Sequence, residues 1–332
     1  MLVLETHRQH RVQLRQELDE LYDGFCDDLP LELRACARDL PYRLRMAPIP
    51  GTPWSEVFGH EVTFAAPALF ADAMPLIART QVHDAMLAHA LAVIDGFCTD
   101  RMEDSQIPRS HELADLIVHL RAVRDRALGR VAPHRSEMTS FAVTNARMIA
   151  AVRAEGRLFS GCELADFARY ERIAAGKTSI GLPASVALAQ AADYSEVECR
   201  AVGKTLGSTW LGMQYHDDVI DWEDDHRRGS AWAVVLARSV ASEVSPRLRS
   251  TERNPIRDMV LQSGVLSHML ERSFRHFRAA RKRAEALGAH GLAAWAKSKE
   301  EHAKMLAHFE RENAGYALRL HALSPWAARV LS

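Results

Sequence analysis

Apolar residues return at three- and four-residue steps through most of this chain, and no other feature restricts its architecture as strongly. Blocks with this helical period run over about 7–27, 76–104, 110–129, 134–156, 161–175, 194–226, 231–249, 255–287 and 290–323. β-branched runs are scarce, and no Asn-Gly or Asp-Gly pair separates two alternating segments, so strands have no support. Helix-start signals agree with the period. Ser160 with Glu163 and Ser195 with Glu198 read as capping boxes, Asn254-Pro255 places a cap before a first-turn proline, and Pro75 can open the 76–104 helix. The expectation is an all-α protein of roughly ten helices.

At 332 residues the chain is long enough for two domains, with one large domain as the alternative. Concentrated turn chemistry occurs at Pro48-Ile49-Pro50-Gly51-Thr52-Pro53, but the segment before it is too short to bury a core alone. The chain therefore reads as one domain over 1–332, with residues 1–53 an N-terminal part and 54–332 a core. A composition of 48% apolar and 26% charged residues excludes disorder and low complexity. The net charge of −1 argues against a general nucleic-acid binder, which usually carries a basic excess. Five scattered cysteines without a CxxC pair read as reduced thiols. Residues 1–21 lack the apolar core of a signal peptide, and the longest uncharged stretch, 178–192, is too short for a membrane helix and contains Pro183. A soluble cytoplasmic protein without a membrane span is expected.

Chemistry concentrates in the run Gln214-Tyr215-His216-Asp217-Asp218-Val219-Ile220-Asp221-Trp222-Glu223-Asp224-Asp225. On a continuous helix, Asp217, Asp221 and Asp225 share one face, Asp218 stands one step around, and the stripe extends back to Gln214 and Trp210. Like charges at i and i+4 repel by a few tenths of a kcal/mol, so three in register cost stability unless cations neutralise them. Oxygen-only clusters of this kind suit Mg²⁺, often shared with substrate phosphates. A plain solvated acidic face is the alternative.

A second acidic run, Asp95-Gly96-Phe97-Cys98-Thr99-Asp100-Arg101-Met102-Glu103-Asp104, closes the 76–104 block. Asp100 and Asp104 share a face with Phe97, Val93, Ala90 and Met86, whereas Asp95 points about 140° away unless the helix breaks near Gly96. Two such clusters on two long helices can face each other across a cavity and hold Mg²⁺ against a diphosphate. Lys177 follows Gly176 and enters the uncharged stretch, where a lysine needs a counter-charge such as a diphosphate oxygen; the alternative is a surface lysine at a helix junction.

With these residues in view, the chain resembles the trans-isoprenyl diphosphate synthase and class I terpene synthase superfamily over about 80–235, most strongly over 170–229. Gln214 to Asp221 is similar to the FQxxDDxxD motif of head-to-tail prenyl synthases, and Lys177-Thr178 to their diphosphate-contacting Lys-Thr pair. The continuation to Asp225 and Arg228-Gly229 resembles the RDxxEDxxRG run of squalene and phytoene synthases. Asp100 with Glu103-Asp104 matches their DxxED motif; in the register of chain-elongating enzymes, Asp95 and Asp100 are the matching pair, with Ile94 where an aspartate is expected.

The resemblance implies a single helical bundle around a central apolar cavity lined by Phe97, Val93, Met86, Trp210 and Met213. It implies Mg²⁺, three ions with Mn²⁺ as a substitute, held by Asp100, Asp104, Asp217, Asp218, Asp221 and Asp225. Lys177, Arg172, Arg228 and Gln214 would contact the diphosphate of a prenyl diphosphate substrate, with Asp100, Asp104, Asp217, Asp221 and Lys177 carrying catalysis. It leaves room for a homodimer. The GGKRxRP segment and the arginine pair that build a second diphosphate site in chain-elongating enzymes are missing; Arg43-Leu44-Arg45 and Arg109 are the nearest counterparts. From this loss the expected activity is a terpene cyclase acting on a C15 or longer allylic diphosphate. The alternatives are a prenyltransferase and a non-catalytic partner subunit of one.

Overall fold

The computed structural model describes residues 2–132, 139–160, 164–244 and 255–330, with side chains described over 11–132, 139–160, 164–240 and 255–313. Among the described residues there is no β-strand, as the helical period requires. The long helices are Leu2–Asp28, Arg79–Glu103, His111–Val131, Phe141–Ser160, Glu196–Ile220, Val265–Leu287 and His290–Val330. Shorter helices at Leu31–Arg38, Glu61–Phe70 and Leu182–Ala191 fill segments where no period had been read. No helix among the described residues is long and apolar enough to cross a membrane.

Local chemistry accounts for most ends. Ser195 closes its capping box as expected: its Oγ accepts from Glu198 N, and Ser195 N donates to Glu198 Oε2 at 2.8 Å. Ser110 caps the His111–Val131 helix by accepting from Leu113 N at 3.1 Å. Two expected starts are corrected. The helix after Pro75 begins only at Arg79, because Gln81 reaches back to cap Ala78 N at 3.2 Å while residues 75–77 form a turn. Ser160 ends the Phe141–Ser160 helix and donates to Arg157 O instead of opening the next one. Its partner Glu163, and Asn254 of the other expected cap, lie outside the described residues.

Two expected continuous helices are each split. Gly264 at φ 69° divides 255–287 into Pro255–Ser263 and Val265–Leu287. The 194–226 block becomes Glu196–Ile220 and Trp222–Arg228, with Asp221 between them at φ −99°, ψ 7°. Gly229, at φ 87°, ends the second piece with Gly229 N on His226 O and Ser230 N on Asp225 O, a double closure that needs a left-handed residue.

The chain sorts into two compact units. The first comprises Met1–Arg153, Gly176–Gly207 and Lys282–Ala293, so the proline-rich loop at 48–53 lies inside one unit and links nothing separate. An aromatic column fills part of its core: Trp54 stacks on Phe58 at 5.0 Å, and Phe58 also meets Phe64 and Phe97. His89 is sealed there between Thr63 O and Gly181 O, and burial lowers its pKa to about 4, so it stays neutral. The second unit comprises Ala154–Ala175, Ser208–Arg281 and Ala294–Ser332. Its core is built on Tyr170, Tyr215, Trp222 and Trp232, with Tyr170 and Tyr215 at 4.3 Å and Trp232 edge-on to Tyr170 at 4.9 Å.

Candidate active site

In the second unit, the acidic run divides by face. Tyr215, Val219 and Trp222 turn into the core, so Asp217 and Asp221 are turned out and are exposed. The carbonyl of Asp217 still accepts from Asp221 N, and that of Asp221 from Asp225 N, both at 2.9 Å; the bend at Asp221 therefore keeps the helical ladder while changing its direction. The three aspartates follow one another across this bend, not along one straight helix as expected. Asp225 is half-buried, with Arg228 Nη1 3.9 Å from its carboxylate.

Asp218 behaves differently from its neighbours. It shares the inward side with Tyr215, Val219 and Trp222, is buried, and accepts from Tyr170 Oη at 2.6 Å and from Gln214 Nε2 at 2.9 Å. Burial first, and then the charge of Asp218, raise the Tyr170 pKa well above its ordinary value, so the phenol remains a donor. Gln214, expected on a diphosphate, directs its Nε2 to Asp218. Below them, Trp232 Nε1 donates to buried Glu155 at 2.6 Å. His216 faces Asp217 through Nδ1 at 3.4 Å and meets His302 Nδ1 through Nε2 at 3.2 Å.

In the first unit, the structure brings Asp100 and Lys177 together: Lys177 Nζ lies 3.3 Å from Asp100 Oδ1, with the two side chains 21% and 28% exposed. Lys177 sits in the last turn of the Phe167–Thr178 helix, where the helix dipole favours a cation. The glycine before it has a steric reason. A Cβ on Gly176 would stand 2.6 Å from Ala151 Cβ, so the helix carrying Lys177 reaches its place only by close approach to the Phe141–Ser160 helix. Gly176→Ala is expected to destabilise the protein by about 1–3 kcal/mol, read by urea unfolding. An unchanged midpoint would disprove the close approach.

The remainder of the first acidic run is also engaged. Glu103 takes Arg153 at 2.9 Å and Arg109 at 3.2 Å, and these cations, Arg153 foremost, lower its pKa. Asp104 is exposed at the helix end, its Oδ2 3.4 Å from Gln106 Nε2. The Arg79–Glu103 helix does not break at Gly96, so Asp95 indeed points away from Asp100; it is fully buried and accepts from Arg121, Arg124 and Asn145. Sequence reasoning missed those three partners. One signal was legible: Arg124 interrupts the apolar stripe Leu113, Leu116, Ile117, Leu120, Leu128, Val131, where a charge requires a buried partner.

The residues expected to line a cavity are placed unequally. Val93 and Phe97 are half-buried, and Phe97 stacks on Phe58 at 6.0 Å. Met86, at 1% exposure, is packed inside the core of its unit. Trp210 is buried and Met213 half-buried in the second unit. Arg172 and Arg228 are exposed. Among the described residues, no three His, Cys, Asp or Glu side chains stand close enough to form a metal site by themselves. The outward carboxylates of Asp217 and Asp221 nonetheless supply the hard oxygen donors that Mg²⁺ takes, with positions left for phosphate oxygens.

No family model matches the chain, and no curated protein does. Solved structures do. The chain is similar to a geranylgeranyl pyrophosphate synthetase from the archaeon Geoglobus acetivorans, with 15% identity and a TM-score of 0.62 over 91% of this chain and 99% of that one. It is similar to a polyprenyl synthetase from Streptomyces coelicolor A3(2), with 14% identity and a TM-score of 0.59 over 86% and 97%. A polyprenyl synthase from Caulobacter crescentus CB15, complexed with calcium and isoprenyl diphosphate, matches at 14% identity and a TM-score of 0.58 over 90% and 95%. The class this likeness defines is one of architecture: the chain has the all-α isoprenoid synthase fold over nearly its whole length.

Proposed function

We propose that this chain is a Mg²⁺-dependent enzyme acting on prenyl diphosphates, and a transferase of the isoprenyl diphosphate synthase type. The observation that carries the reading is the likeness to polyprenyl and geranylgeranyl synthetases over 86% and 91% of the chain, combined with outward Asp217 and Asp221 in the segment that resembles FQxxDDxxD. It favours the transferase over the cyclase and over the lyase chemistry expected from sequence. When bound, Mg²⁺ supplies Lewis-acid stabilisation of the diphosphate leaving group. The chain supplies the rest. Asp217, Asp221 and Asp225 hold the metal, and Asp218, fixed by Tyr170 and Gln214, anchors the backbone that presents them. Arg172 and Arg228, exposed in the same unit as these aspartates, contribute cations to the diphosphate.

One observation favours the cyclase as a second reading. Two of the three basic counterparts of a second diphosphate site are already paired, Arg43 with Glu112 at 2.7 Å and Arg109 with Glu103 at 3.2 Å. The test is incubation of the pure chain with C10, C15 and C20 allylic diphosphates, Mg²⁺ and labelled isopentenyl diphosphate. The transferase yields a labelled, lengthened diphosphate. A cyclase yields unlabelled hydrocarbon and pyrophosphate without isopentenyl diphosphate. No turnover with any substrate would reject both in favour of a non-catalytic partner subunit.

A further inference from the structure

Asp95 occupies a position at which the chain-elongating register expects an aspartate, yet its surroundings are those of a sealed ion pair. It is 0% exposed. Arg121 grips it with two parallel bonds, Nε on Oδ2 at 2.8 Å and Nη2 on Oδ1 at 2.9 Å. Arg124 Nη1 adds a third donor to Oδ2 at 2.8 Å and Asn145 Nδ2 a fourth at 3.3 Å. Three of these donors fall on Oδ2 and one on Oδ1, so four protein donors already crowd a carboxylate with about four lone-pair sites. Arg124 is itself 3% exposed, paired with Asp125 at 3.0 Å, and held over the Phe141 ring at 4.3 Å. This cluster is prebuilt on rigid helices, and its two guanidinium groups would repel an incoming divalent cation.

The same substitution of protein cations for metal continues along the helix. Asp100 has Lys177, and Glu103 has Arg153 and Arg109. Asp104 lies at the helix terminus, its Oδ2 3.4 Å from the Gln106 amide, and among the described residues no three His, Cys, Asp or Glu side chains gather into a metal site.

We infer that the first acidic motif of this chain carries no divalent cation: Arg121 and Arg124 at Asp95, and Lys177 at Asp100, stand where a metal would otherwise balance the charge. This rests on the proposed function, and it deepens it by assigning all metal binding to the Asp217–Asp225 segment. Lys177 then serves as a fixed cation, always present, whose charge does not depend on metal supply.

The test counts bound Mn²⁺ by electron paramagnetic resonance on the full chain with inorganic pyrophosphate present. Asp100→Asn, with Asp104→Asn as a second variant should the first fail to fold, is expected to keep the wild-type number of ions and an apparent Kd within about twofold. Asp217→Asn with Asp221→Asn is expected to lose the bound ions. Loss of one or more Mn²⁺ in a folded Asp100→Asn or Asp104→Asn chain overturns the inference while leaving the proposed function intact. A wild-type chain that binds no Mn²⁺ even with pyrophosphate overturns the proposed function instead, and the first motif is then metal-free as inferred.

Discussion

Asparagine at Asp217 or Asp221 is expected to lower Mg²⁺-dependent diphosphate release by at least ~10³-fold, about 4 kcal/mol of transition-state stabilisation. The size follows from the role. In the proposed role a metal ligand would lose its charge and the leaving group its Lewis acid, whereas in the folded state Asp217 meets His216 Nδ1 at a long 3.4 Å. Both aspartates are exposed, Asp217 to 50%, and Asp221 makes no capping hydrogen bond at the start of the Trp222–Arg228 helix. Their removal also relieves a like-charge repulsion worth a few tenths of a kcal/mol. The melting temperature is therefore expected to stay level or rise slightly while turnover collapses. Asp224, in the same run but ion-paired with Arg227 on the surface, is the control: Asp224→Asn is expected to leave turnover within about twofold. Full turnover in both Asp217→Asn and Asp221→Asn would falsify the assignment.

Asp95→Asn is expected to have the opposite signature, a loss of about 3–5 kcal/mol of folding stability. Deleting the carboxylate leaves the buried Arg124 guanidinium facing an amide and takes the two-bond partner from Arg121. Breaking one side of a buried pair costs more than the pair ever contributed, because the remaining charge stays out of water. Asp125, the other carboxylate on Arg124, is 45% exposed on its side chain, and Asp125→Asn is expected to cost no more than about 0.5 kcal/mol. Urea unfolding with an unchanged slope distinguishes the two substitutions. An Asp95→Asn protein as stable as the parent would show that this cluster is not what holds the Arg79–Glu103 and His111–Val131 helices in register.

These two aspartates show how far the chain could be read without coordinates. Helical period placed the Arg79–Glu103 and Glu196–Ile220 helices, and it placed Asp95 on a different side from Asp100. It could not say what stood opposite that side. The partners of Asp95 lie 26, 29 and 50 residues further along the chain, a separation over which spacing rules carry no information. The same holds for Asp218, whose partner Tyr170 lies 48 residues back, and for Gly176, whose lack of a side chain matters only because Ala151 is there. Gln214, by contrast, reaches Asp218 at i+4, a contact the helical period alone permits.

Local rules decide what local energies dominate. The all-α class and the Ser195 cap follow from torsion preferences and a 3.6-residue repeat, which act over a few residues and are written in the order of the amino acids. Which carboxylates are free to take a cation is a different kind of question. Asp95 and Asp217 are the same residue on similar helices, and one is neutralised by guanidinium groups while the other faces water. Packing made that choice, because burying a charge is tolerable only where folding carries distant donors to it.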